Sequence, residues 1–358
     1  MERANLLPEA LHISREKLII DEFGEAVYNL ICNYADLSSK HTAVQQTQTR
    51  FQVKSLEDDY YDTYINLERT NDVKHINKFF ESVNEKLPLD GIFVGCVETS
   101  RLRKARILKK YPRGFSDFYY FIDYLIKRVF PKLPFTKKIY FLLTGGRNRV
   151  MSRAETIGRL YSCGFEMLLE KTVGHNLYFF VKKSGVPSFD AHPSYGPLFK
   201  MRRIGKNGKV INVYKFRTMS PYAEYAQEYV YQLNHLAEGG KIKNDFRVTT
   251  LGKFFRKFWL DELPMLYNLL KGDLKLVGVR PLSKHYLGLY TLDVRARRLN
   301  YTPGLVPPFY ADMPKTFQEI MASEKKYFDA YDKNPFLTDI KYFFKAFYNI
   351  IFKRARSK

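Results

Sequence analysis

The chain has 358 residues, 45% of them hydrophobic, and a formal net charge of +22. That length favours two domains over a single core, and that apolar content excludes a disordered chain. The charge points to anionic partners, meaning nucleotide diphosphates, acidic lipid headgroups or nucleic acid. Cys32, Cys96 and Cys163 are too few and too scattered for a disulfide framework and lack metal-ligand spacing, which suits a reducing, cytosolic setting. The opening MERANLLPEALHISREK lacks the charged-then-apolar layout of a secretory signal. No run of about 18 apolar residues occurs, so no membrane-spanning helix is expected.

Residues 1–40 are helix-like, with Ile19, Ile20, Phe23, Val27, Tyr28 and Ile31 recurring near a helical period. After a Thr- and Gln-rich stretch at 43–50, FQVKSL and YDTYINL read as short strands. A helix over 73–86 leads through Leu87-Pro88-Leu89-Asp90 into GIFVGCVET, an apolar run suited to a buried strand. Strand, helix, strand predicts a parallel α/β sheet. Residues 115–143 interleave aromatics with Lys and Arg, and Pro131 and Pro134 break any long helix. Core packing is the expectation there, with an interfacial patch as the alternative.

Ser152 and Glu155 form a capping-box pattern that opens a helix ending near Gly164. FEMLLEK and NLYFFVKK then flank Val173-Gly174-His175-Asn176 as an antiparallel hairpin, with His175 a turn residue rather than a ligand or base. A parallel sheet closed by such a hairpin after a Gly-Phe-Glu turn resembles the latter half of a class I methyltransferase. No Gly-rich strand-to-helix turn is present to hold S-adenosylmethionine. Residues 1–183 are therefore expected to form a degenerate Rossmann-like α/β domain with a docking or regulatory role.

Residues 184–197, dense in Gly, Pro and Ser, are the expected linker, and 198–358 the second domain, α+β in class. LFKMRRIGKNGKVINVYKFRTM reads as a basic hairpin turning at Lys206-Asn207-Gly208-Lys209. A helix is expected over 221–238, stopped by Gly239-Gly240. Chemistry is densest at 245–281, around Asp261-Glu262. These carboxylates precede Leu263-Pro264 and a run at 265–271 with helical spacing, which places Asp261 at or near an N-cap and Pro264 in the first turn. A helix N-terminus there favours a bound phosphate, and Arg247, Arg256, Lys257 and Arg280 surround the pair in sequence. On spacing alone, Asp261 is either a helix cap or a nucleophile for phosphoryl transfer through an acyl-phosphate.

The C-terminal stretch TDIKYFFKAFYNIIFKRARSK makes an amphipathic helix. Ile340, Phe343, Phe344, Phe347, Tyr348 and Ile351 share one face, and Lys341, Lys345, Asn349 and Lys353 the other. With Arg354, Arg356 and Lys358 following, it either lies on an anionic membrane surface or packs on the catalytic domain.

The segment LDELPMLYNLLKGDLKLVGVRP, with KNGKVINVYKFRTM upstream and RRLNYTPGL downstream, resembles the bacterial sugar transferases. These are monotopic phosphoglycosyl transferases, which initiate exopolysaccharide and glycoprotein assembly, and the resemblance covers residues 187–358. It implies that Asp261 attacks a UDP-sugar, releases UMP and retains a phosphosugar that polyprenol (undecaprenyl) phosphate then takes. Glu262 would assist, with Mg2+ required and held by Asp261 and Glu262. The resemblance brings Lys215 and Arg217 near the active site, has Lys215, Arg256 and Arg280 neutralise the diphosphate, and adds Arg247 and Pro281 to the substrate-binding set.

Three features depart from the family. No re-entrant membrane helix precedes the linker, Gly278-Val279-Arg280-Pro281 stands where Gly-Pro-Arg-Pro is usual, and Pro303-Gly304-Leu305-Val306-Pro307 where Pro-Gly-Ile-Thr-Gly is usual. The last is expected to reshape the nucleotide or sugar pocket. The resemblance implies a peripheral enzyme on the cytoplasmic face of the inner membrane, with a membrane protein partner one way to replace the missing helix. A non-catalytic adaptor of the same fold is the alternative. A nucleic-acid partner is not expected, because no binding module is recognisable.

Overall fold

The structure, a computed structural model, describes residues 8–189, 195–235 and 242–353. The expected helix stop at Gly239-Gly240, positions 190–194 of the linker, and the basic tail with Arg354, Arg356 and Lys358 lie outside the described residues. The chain divides into two compact units. One comprises Met1–Tyr195, Met219–His235 and Ile242–Arg247, the other Gly196–Thr218, Leu236–Lys241 and Val248–Lys358.

The first unit is mixed α/β, with a parallel-rich sheet in the order β1-β2-β3-β5-β4. Its strands are β1 (Thr42–Gln45), β2 (Thr63–Arg69), β3 (Ile92–Val97), β4 (Phe165–Val173) and β5 (Asn176–Lys183). The first three run parallel, and β5 lies antiparallel between β3 and β4. Alternation along the strands feeds two cores. Tyr64, Phe93 and Phe179 pack with Phe79 and Phe80 of the helix Ile76–Lys86, whereas Ile65, Val94 and Phe180 pack with Ile19, Val27 and Ile31 of the N-terminal helices. Each such side chain, fully buried, contributes about 1.5–3 kcal/mol.

Two expectations fail here. FQVKSL is not a strand: Arg50–Lys54 forms one helical turn that buries Val53 and leaves Phe51 exposed. The strand falls earlier, at Thr42–Gln45, where parallel pairing with β2 outweighs a sequence too polar to advertise it. Core packing of 115–143 is also overturned. Phe118 and Phe121 of the helix Phe115–Tyr124, and Phe135, Leu142 and Leu143 of the helix Pro134–Thr144, are exposed. The inward sides carry paired charges instead. Arg103 donates two bonds to Asp123, at 2.6 and 2.8 Å, and Arg128 donates to Glu155 at 3.1 Å.

The second unit has two small sheets. Antiparallel β6 (Leu198–Ile204) and β7 (Val210–Phe216) join at Asn207 and Gly208, both at positive φ, as the Asn-Gly pair foretells. Strands β8 (Lys275–Val277) and β9 (Gly304–Val306) are parallel. The expected helix over 221–238 is confined among the described residues to Gln227–Asn234. It belongs to the first unit, where Ala226 and Val230 pack on Ile157.

The C-terminal helix Pro335–Phe352 docks by an unexpected face. Thr338, Tyr342, Ala346 and Asn349 are buried, and Asn349 Nδ2 donates to the carbonyls of Tyr310 and Ala311 at 3.0 and 2.9 Å. Phe336, Phe344, Phe347, Tyr348 and Ile351 stay exposed. Packing and an uncovered apolar stripe thus coexist on one helix.

Candidate active site

Thr249 caps the helix Thr250–Lys257 by accepting from Gly252 N at 2.9 Å, and the chain then turns at Trp259, whose φ of 60° is left-handed. That conformation costs a non-glycine residue on the order of 1–2 kcal/mol. Packing of the indole on Tyr310, with ring centroids 4.7 Å apart, holds it in place. Leu260–Glu262 follow as one 3-10 turn, ahead of the helix Met265–Leu270.

Asp261 therefore does not cap that helix, since Trp259 ends one path and starts another and Pro264 occupies the capping position. The helix has only 6 residues, too short for a substantial dipole, so holding a phosphate falls to side chains.

Lys215, near the end of β7, donates to Glu262 Oε1. It is aimed there by a residue that periodicity did not single out. Asn268 is fully buried, and its amide accepts from Tyr214 N at 3.0 Å and donates to Asn212 O at 2.7 Å, stitching Met265–Leu270 to β7. Half-buried Asp261 has its pKa raised, chiefly by loss of water. The positive charge of Lys215 opposes this, the negative charge of Glu262 adds to it, and Arg256 opposes it more weakly.

Lys215, Glu262, Arg280 and Pro281 line a cavity of about 80 Å3 together with Arg203 and Tyr310. Burial and the charge of Arg280 push the Arg203 pKa down, so the cavity brings two cations together and suits an anion. Arg298 donates to Arg280 O at 2.6 Å and pairs with Glu324, which fixes the backbone beneath Arg280.

The two altered motifs meet. Gly304 N donates to Val279 O at 2.9 Å, Gly278 N donates to Val306 O at 3.2 Å, and a Cβ on Gly304 would lie 2.1 Å from Gly278 N. Val279 and Val306 pack in one core cluster, whereas Leu305 and Pro307 face the cavity. Half of the departure from the usual motifs thus serves packing, and the other half lines the site.

The remaining expected residues divide. Arg256 donates to Thr218 Oγ1 at 3.0 Å and acts on Asp261 through its charge. Arg217 donates to Gly196 O at 3.0 Å with its guanidinium over Phe199, and it does not line the cavity. Arg247 is engaged locally. It belongs to the first unit, buried, with its fork taken by Asp245 at 2.9 and 2.8 Å and a further bond to Ala223 O. Sequence reasoning saw seven basic residues between Lys200 and Arg217 and could not tell that Arg203 alone among the first four points into the cavity.

Among the described residues no three His, Cys, Asp or Glu stand together as a metal site. Asp261 and Glu262 offer hard oxygens, with Glu262 already engaged by Lys215. They fit Mg2+ only as a pair completed by substrate phosphate oxygens and water.

Residues 190–353 match the family described as bacterial sugar transferase. That stretch, which carries Asp261, Glu262, Lys215 and Arg280, belongs to this family. The galactosyl transferase CpsE of Streptococcus agalactiae is 36% identical over 126 residues, covering 35% of this chain and 26% of that protein. The undecaprenyl-phosphate galactose phosphotransferase of Salmonella typhimurium is 37% identical over 123 residues, 33% of this chain and 24% of that one. The exopolysaccharide production protein ExoY of Rhizobium meliloti is 40% identical over 109 residues, 29% of this chain and 48% of that one. The chain thus aligns with between about a quarter and a half of the length of these relatives.

Proposed function

We propose that this protein transfers a sugar 1-phosphate from a UDP-sugar to polyprenol (undecaprenyl) phosphate through a covalent aspartyl intermediate. The observation that carries this reading is the Asp261 carboxylate under the charges of Lys215 and Glu262, a pair that lines a cavity bearing Arg203 and Arg280. The name of the Salmonella relative, an undecaprenyl-phosphate galactose phosphotransferase, supports the same acceptor.

Ionised Asp261 attacks the β-phosphorus of the donor. The bond from that phosphorus to the bridging oxygen breaks, and UMP departs with the electron pair. A phosphate oxygen of the polyprenol phosphate then attacks the same phosphorus, Asp261 leaves as carboxylate, and a polyprenyl diphosphosugar forms. Lys215, Arg203 and Arg280 stabilise charge as it moves to the departing phosphate. Mg2+, held by Asp261 and Glu262, would neutralise the diphosphate when bound.

Surface engagement is supported by exposed apolar side chains on three helices of this unit. They are Leu251, Phe254 and Phe258 near the first, Leu266 and Leu270 on the second, and Phe336, Phe344 and Phe347 on the last. Lys253, Lys257, Lys341 and Lys345 are exposed on the same elements, which suits an anionic cytoplasmic leaflet. Among the described residues no helix is long and apolar enough to cross a membrane. The first unit we read as a degenerate Rossmann-like, methyltransferase-like module.

The test is UMP release from a panel of UDP-sugars with Mg2+ and polyprenol phosphate in nanodiscs. Release that requires both the lipid and Asp261 is the expected result. No release from any donor by folded protein would remove the enzyme and leave the adaptor.

A further inference from the structure

The first unit contains a cavity of about 890 Å3, every lining residue of which belongs to that unit. It opens at the carboxyl end of β2, where the helix Ile76–Lys86 begins with no side chain capping its first turn. Ligands of parallel α/β sheets bind at that end of the strands. A methyltransferase-like fold would place a nucleoside there, but the lining has the wrong charge for S-adenosylmethionine, whose sulfonium is a cation.

Arg128, Lys132, Arg149 and Arg159 form the wall, and Glu155 is the carboxylate among them. Glu155 accepts from Lys132 at 2.7 Å, Arg159 at 3.0 Å and Arg128 at 3.1 Å. Arg149 is left to backbone carbonyls and donates to Lys74 O at 3.0 Å. Nε of Arg149 and Nε of Arg159 are buried without a hydrogen-bond partner. Burial and Arg128 push the Lys132 pKa down to about 7, and burial and Arg159 push that of Arg149 down to about 10. A second carboxylate at the wall, Glu81, is already paired with Lys78 at 2.7 Å. Three cations share one acid and Arg149 has no carboxylate bonded to it, in a space that a nucleotide would fill, and an unpaired buried charge is costly unless something neutralises it.

Aromatic faces complete the lining. The Arg159 guanidinium sits 4.6 Å from the Tyr222 ring and 5.3 Å from that of Tyr195, and Arg149 lies 5.3 Å from Phe141. Planar guanidiniums braced against rings are already oriented for bidentate phosphate recognition. Lys137 and Lys138 stand exposed at the mouth.

We infer that this cavity is a second anion site, distinct from the Asp261 centre, that binds the diphosphate group of a nucleotide or of a lipid headgroup. The two sources share the recognised chemistry. A lipid is admissible because Lys137 and Lys138 ride on the helix Pro134–Thr144, whose Phe135, Leu142 and Leu143 are exposed.

The test uses the full chain carrying Arg280→Ala, which weakens the site in the second unit. Binding is measured by calorimetry with inorganic diphosphate, UDP, ADP and S-adenosylmethionine, and by flotation with vesicles with or without a diphosphate lipid. The measurements are repeated with Arg149→Gln and with the exposed pair Lys137→Glu and Lys138→Glu, which leaves the core untouched. Diphosphate or nucleotide affinity that drops at least tenfold in both cavity variants supports the site with a soluble ligand. Flotation that needs the diphosphate lipid and is lost in both variants supports it with a lipid. Binding of every phosphate compound that is the same in wild type and variants, no binding at all, or preference for S-adenosylmethionine overturns it. None of these outcomes depends on turnover at Asp261.

Discussion

The two cation clusters of this molecule differ in how their charge is balanced. In the second unit, Lys215 has Glu262 as a partner and Asp261 nearby, and the cavity is small at about 80 Å3. In the first unit, three cations bond Glu155 and a fourth, Arg149, has backbone carbonyls instead, around about 890 Å3. The first arrangement has acids and bases matched, and the second has an excess of cations. The contrast is sharpest in the two carboxylates, whose pKa values move in opposite directions. Asp261 is raised because lost water outweighs its cations, and Glu155 is lowered because three cations outweigh its complete burial.

The largest effect should come from Asp261→Ala, which removes the proposed nucleophile and should lower UMP release by about 10^3–10^6-fold with folding intact by circular dichroism. If activity persists, the asymmetry between the clusters has no catalytic meaning. Next, Glu155→Gln strands three cations, of which Arg128 and Arg159 are buried, and should destabilise the chain by about 3–5 kcal/mol in denaturant titration. That loss should be partly reversed by added diphosphate; no reversal would mean that the cluster is purely structural. Asn268→Ala should cost about 1–3 kcal/mol, since it leaves Tyr214 N and Asn212 O without partners. It should also lower kcat through misplacement of Lys215.

The pH predictions follow from the signs. The folded chain holds the Asp261 proton more tightly than the unfolded chain does, so this contribution to stability is full below the ordinary aspartate pKa and is lost as pH rises through the raised one. At neutral pH the ionised carboxylate thus weakens the fold, and Asp261→Asn should raise Tm by roughly 1–2 °C. Glu155 contributes in the other sense, with stability present above the ordinary glutamate pKa and lost as pH falls through the lowered one. The acid limb of the pH–rate profile should lie above the ordinary aspartate range and move further up in Lys215→Met, where the opposing charge is gone. A limb that stays put would remove Lys215 from the electrostatics of the nucleophile.

The sheet of the first unit was legible because β2, β3 and β5 alternate or run apolar between clear turns. Strand β1 was not, because Thr-Ala-Val-Gln becomes a strand only through pairing with β2. The Asn-Gly turn and the Ser152 cap could be read from local chemistry alone. In the candidate site Asp261, Glu262, Lys215 and Arg280 were singled out through motif resemblance. The pairing of Arg247 with its neighbour Asp245 is a feature that spacing does not reveal. Asn268 and Arg298 escaped notice because each works by fixing backbone rather than by touching a motif residue's side chain. The basic cavity was illegible for a different reason. Arg128, Arg149 and Arg159 come from separate segments, and the folded chain assembles them.

Trp259 is the chain's single tryptophan. It stands two residues before Asp261 in a strained turn, against Tyr310, which lines the cavity of the second unit. The basic cavity of the first unit has tyrosine and phenylalanine but no tryptophan in its lining. Emission excited at the red edge, where tyrosine does not absorb, is therefore a native optical reporter of donor capture beside Asp261. A ligand that enters the first unit alone should leave that emission unchanged, so one titration, read by heat and by light, assigns each binding event to its site without any label.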